Sequence, residues 1–287
     1  MLSAFQRRWG IDQWVAYLKD KEIPVLPETR DALAALRKEE EDRIAPKDIA
    51  AVVLCDPFLA LKLLRRVEGH RSATLGQETT TALASVLQAG VDDLMRTVND
   101  GSLVDESRAG MQECIAHTVV AARIARAWAS LRADVSAEEV ALAALLAESG
   151  ELLLWHFAPE LPQNALDELH SGRAHRTLQA QQQTAGFSFR QMTLTLVEGW
   201  ALPRLIAQLI RGSDTLRANI ARQAGDTARH LVTDPENPAL PADLVNIRRL
   251  IPGATYQALL AHLPVSEEYK EKVLQALAED NYTQDLQ

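Results

Sequence analysis

Apolar residues recur every three or four positions along most of the chain, the spacing of a helix that buries one face. Alternation of apolar and polar side chains, the mark of a half-buried strand, is scarce. The pattern predicts a protein built almost wholly of helices. Residues 1–23 read as one amphipathic helix, and Pro24-Val25-Leu26-Pro27 ends it because neither proline continues a helical hydrogen-bond ladder. A second helix starts near Glu28, carries Ala32, Leu33 and Leu36 into the charged run Arg37 to Arg43, and breaks at Ala45-Pro46 before a short one over Lys47 to Leu54. Asp56 offers a carboxylate to the bare amides of the next helix, and Pro57 suits its first position, where a missing N–H costs nothing. In that helix Leu59, Ala60, Leu63, Leu64 and Val67 form one buried stripe, with Lys62, Arg65 and Arg66 outside it.

Gly69 to Gln77 reads as a polar connector, Thr80 to Gln88 as a helix stopped by a left-handed Gly90, and Asp92 to Val98 as another helix. Asn99-Asp100-Gly101-Ser102 has turn chemistry and places a lobe boundary before Met111. From Met111 to Leu131, His117 falls on one line with Ala121, Ile124 and Trp128, so this histidine is expected to face inward. Ser136 followed by Glu139 is a capping-box pattern for a helix through Val140, Leu142, Leu145 and Leu146, and Leu152 to Trp155 is a second apolar run. Beyond Pro159 and Pro162, one or two polar helices occupy Gln163 to Thr184, and a helix from Phe187 ends at Gly199. Trp200-Ala201-Leu202-Pro203 turns into a helix buried through Leu205, Ile206, Leu209 and Ile210. The helix Leu216 to Val232 carries Asp226, and Asp234 to Pro241 is expected to be a loop because it holds three prolines.

Composition narrows the class. The 287 residues are 47% hydrophobic and 24% charged, enough for a core without disulfides or a structural metal. Thirty Lys and Arg against thirty-nine Asp and Glu leave a net charge of −9. The basic residues are dispersed in pairs such as Arg7-Arg8, Arg65-Arg66 and Arg248-Arg249, so nucleic acid is an unexpected partner. The longest apolar run, Val140 to Ala147, falls far short of the about 20 residues a bilayer requires, and no membrane span is expected. The N-terminus has no apolar core of a signal peptide, which points to the cytoplasm. Cys55 and Cys114 both stand in apolar helical context and read as buried thiols without a disulfide. No glycine-rich phosphate loop, nucleophile elbow or Cys-His-acid grouping can be read from the chain.

Several of these motifs stand in the order found in a known family. Ile23-Pro24-Val25-Leu26-Pro27, the Asp56-Pro57-Phe58-Leu59-Ala60 helix with Leu63-Leu64, Ala82-Leu83, Ala89-Gly90-Val91, His117, the segment Ala143 to Gly150 and Gly199-Trp200-Ala201-Leu202-Pro203 together resemble the HDOD family. This is a bacterial helical signalling module related to the HD metal-dependent phosphohydrolases. The resemblance implies an all-α, two-lobed helical bundle with an N-terminal helix over 1–22, a first lobe over 23–106 and an HD-like lobe over 107–287. Two features depart from the family: Glu68-Gly69 stands where Asn-Ser is common, and the paired histidines that often follow the Trp-Gly-Leu-Pro turn are replaced near Arg211-Gly212-Ser213.

The HD enzymes bind metal through a His-Asp pair, an earlier His and a later Asp. By the resemblance, the pair's place is Glu148-Ser149, His117 matches the first ligand and Asp226 the last, and a serine hydroxyl is a poor substitute for a bridging carboxylate. The expectation is therefore a vestigial site with no catalytic residue, no metal and no cofactor. The protein would regulate through protein contacts, with a histidine kinase, a response regulator or a cyclic-dinucleotide enzyme as partner. Trp200, His117 and Glu148 are the candidate binding contacts, each also readable as an ordinary core or helix-end residue. Two alternatives stand beside this reading: an HD-superfamily phosphohydrolase using His117, Glu148 and Asp226, and a small-ligand sensor. Cys114-x-x-His117 has no second Cys/His pair to complete a zinc site, and His170 and His175, five apart, do not share a helical face.

Overall fold

In the computed structural model, which describes residues 2–39, 44–70, 77–212 and 215–284, the expected N-terminal helix is split at Gly10. A single 3-10 turn, Gln6–Arg8, precedes it. Gly10 is extended, and its N–H is received by the Gln13 side chain at 3.0 Å, so helix α1 begins afresh at Ile11–Lys19. The chain continues through α2 (Pro27–Glu39), α3 (Pro46–Val53), α4 (Pro57–His70), α5 (Ala82–Ala89) and α6 (Val91–Asp100). Then follow α7 (Ala109–Ser130), α8 (Ala137–Leu146), α9 (Ser149–Phe157), α10 (Glu160–His170), α11 (Thr177–Ala185) and α12 (Phe189–Gly199). The last five are α13 (Arg204–Arg211), α14 (Leu216–Thr233), α15 (Leu240–Leu250), α16 (Tyr256–Leu260) and α17 (Glu267–Gln284).

The protein is all-α, as expected; among the described residues the one bridge of extended chain is parallel, between Val25 and Leu103. Gly90 takes a φ of +79° but an extended ψ of 143°, so it does not cap α5 in the left-handed form; it ends α5 and starts α6 at once. Two prolines expected to interrupt the chain instead lie in first turns, Pro162 in α10 and Pro241 in α15, where their missing N–H groups have no intrahelical partner to lose. The expected loop therefore ends before Leu240. The charged run beyond residue 39 and the connector 71–76 fall outside the described residues.

The chain packs as two units. The first comprises Met1–Ile115 and Leu146–Ala207, the second Ala116–Leu145 and Gln208–Gln287. This division differs from lobes meeting at 106/107. Helix α9 packs on α4 and α12, and α12 on α1, so residues 146–207 belong with the N-terminal helices. The second unit closes around Ile124, Trp128, Val140, Ala224, Ala228, Leu244 and Ile247, with the Trp128 indole donating to the Leu259 carbonyl at 3.0 Å. Ala137–Phe157, of mean hydropathy 1.4, is the one described stretch apolar and long enough to cross a membrane. It is divided into α8 and α9, and 72% of its apolar window is buried in the protein, as core helices are.

Asp56 organises the start of the first unit. Its side chain is fully buried and accepts N–H groups from Phe58 at 2.8 Å and Leu59 at 2.9 Å, capping α4. The other oxygen accepts Leu26 N–H at 2.9 Å, tying the Pro24–Pro27 segment to the same helix, and the Thr29 hydroxyl adds a further bond. Burial pushes this carboxyl above its ordinary 3.8, against the pull of those donors. The folded protein thus holds the proton more tightly than the unfolded chain, and this part of stability, full below 3.8, is lost as pH rises through the raised value. Asp56→Asn should turn an amide N–H₂ toward the Leu26 N–H and lower stability by about 1–3 kcal/mol in urea unfolding. It should also remove that acid-side slope. An unchanged midpoint and slope would show the carboxylate to be dispensable.

Candidate functional site

The four residues expected from the resemblance to match an HD metal site fall two in each unit. Glu148 and Ser149 form the junction of α8 and α9, with Glu148 half-buried and Ser149 at 2% exposure. The Ser149 hydroxyl turns back and donates to the Leu146 carbonyl at 2.8 Å, so it serves a helix end. Beside it, Gly150 N–H donates to Thr193 Oγ1 at 2.9 Å, and that hydroxyl donates to Phe189 O at 3.2 Å. A Cβ on Gly150 would stand 2.6 Å from Thr193 N and 2.7 Å from Phe189 O, both backbone atoms of α12. The junction is therefore a close helix crossing, sealed by one buried threonine.

Cys114, on α7, donates its thiol to Glu148 Oε2 at 3.8 Å. Burial pushes that thiol well above its ordinary value, and the carboxylates of Glu151 and Glu148 add to the effect, so it stays protonated and inert. Cys55 differs from its expected burial. It lies in the turn after α3 and is exposed, because the next residue, Asp56, takes the inward position. Neither cysteine is disulfide-bonded.

His117 and Asp226 belong to the second unit, on α7 and α14. His117 is half-buried at the head of the line that continues through the buried Ala121, Ile124 and Trp128. Asp226 lies half-exposed, paired with Arg229 one turn on at 3.2 Å. Among the described residues, no three His, Cys, Asp or Glu side chains gather as a metal cage. His170 and His175 are both exposed.

Trp200 is 8% exposed, and its indole N–H donates to the Lys19 carbonyl at 3.1 Å, while the Arg65 guanidinium lies over the ring at 5.0 Å. The turn after it is a helix stop of known geometry: Leu202 N–H donates to Val197 O at 3.1 Å and Ala201 N–H to Glu198 O at 3.0 Å. Such a stop requires a left-handed residue, and Ala201 supplies it with φ +50°, where glycine is usual.

Some polar features carry no sequence signal. In the second unit the buried Asp243 accepts His230 Nδ1 at 2.8 Å and Gln223 Nε2 at 3.3 Å, partners brought together across a proline-rich loop. Glu68, the departure from Asn-Ser, is buried and accepts Thr79 N–H at 3.0 Å, tying the end of α4 to the segment before α5.

Comparison with known proteins gives a consistent picture. The HDOD domain family model matches residues 23–216. The MmoQ response regulator from Methylococcus capsulatus is similar at 18% identity and a TM-score of 0.65, over 85% of this chain and 99% of that one. A virulence factor from Campylobacter jejuni is similar at 18% identity and a TM-score of 0.67, over 91% of this chain and 98% of that one. These likenesses are of fold. No curated protein matches the chain significantly.

Gly150→Ala should cost about 1–3 kcal/mol in urea unfolding, because backbone on α12 blocks the added methyl. A neutral result would mean that the crossing can open. In the native protein a thiol reagent such as dithionitrobenzoate should modify Cys55 rapidly, and Cys114 only on denaturation. Equal rates would contradict the buried, protonated Cys114.

Proposed function

Because the chain belongs to the HDOD family, we propose that it is a regulatory protein that works by binding other proteins and catalyses no reaction itself. The observation carrying this reading is Ser149. At the place of the HD pair's carboxylate stands a buried hydroxyl spent on a helix-end carbonyl, next to a glycine held against α12. Metal-assisted hydrolysis needs anionic and imidazole ligands converging on one ion so that a bound water loses its proton. Ser149 has no charge to offer, and the Asp226 carboxylate is engaged by Arg229 near solvent.

The fold's likeness to a response regulator favours a signalling pathway, with a kinase, a response regulator or a cyclic-dinucleotide enzyme as the class of partner. A cytoplasmic setting without nucleic acid or membrane contact agrees with the net charge of −9 and its dispersed basic residues.

The test is to reconstitute the purified chain with manganese, iron or zinc, desalt it, and assay metal and phosphate release from nucleotides and cyclic dinucleotides. The expected result is below about 0.1 metal ion per chain and no activity above that of His117→Ala. Stoichiometric metal and phosphate release, both lost in His117→Ala, would replace this reading with a phosphohydrolase.

A further inference from the structure

We draw no further inference here: the strongest candidate, the open polar groove that α4 lines with Lys62 and Arg66 and α6 with Asp93 and Arg96, carries nothing, because its cations are already engaged by the chain's own Glu22 and Asp93 and nothing in the structure shows what would occupy it.

Discussion

At Gly150 the first turn of α9 lies against α12 so closely that any side chain would meet the backbone of Thr193 and Phe189 below 3 Å. Two backbones at that separation exclude water, and each polar group between them must find a partner in the protein. Thr193 is fully buried and meets the demand twice, accepting from Gly150 and donating to Phe189. Ser149 meets it at the end of α8. A second close approach, where a Cβ on Gly110 would stand 2.3 Å from Trp155, presses the start of α7 against α9. With α9 fixed by these crossings, its packing on α4 and α10 follows, and most of the first unit is built around it.

The same constraint bears on function. Glu148 and Ser149, at the junction of α8 and α9, sit beside this crossing, and the Ser149 hydroxyl is spent on the Leu146 carbonyl. An aspartate in place of Ser149 would have to bury a charge beside the Leu146 carbonyl that now accepts the hydroxyl. Glu148 shares its carboxylate with the thiol of Cys114, which itself is too desolvated to ionise.

Much of the fold was legible because helices announce themselves in period, caps and prolines. Asp56-Pro57 marks the start of α4, Ser136 caps α8 through the Glu139 N–H at 3.4 Å, and the stripe of Leu59, Leu63 and Leu64 is buried as spaced. What the pattern does not encode is of two kinds, local turns and long-range packing. Gly10 divides the first helix because its extended backbone and the Gln13 side chain make a new start, a choice periodicity does not encode. Cys55 was misplaced because a turn follows α3 one residue before Asp56. The division into units was hidden for a deeper reason: residues 146–207 join the N-terminal helices through contacts of α9 and α12 that have no trace in nearby sequence. The candidate site was legible as motifs only. The role of Glu68 becomes visible only once Thr79, eleven residues away, is seen to donate to it.

The turn at Trp200 joins these threads. A left-handed alanine costs about 1–2 kcal/mol relative to a relaxed backbone, and Ala201 accepts that conformation because two hydrogen bonds close α12 behind it and Leu202 is buried. The strained residue fixes the direction in which the preceding indole leaves the helix. Its N–H therefore meets the Lys19 carbonyl, and its face receives Arg65. A relaxed turn could end α12 equally well but would not by itself aim the indole at α1. Strain tolerated at such a place is better explained by what it positions than by the helix it terminates. In this protein it positions the indole that donates to the last carbonyl of α1, a helix ahead of the family's matched residues.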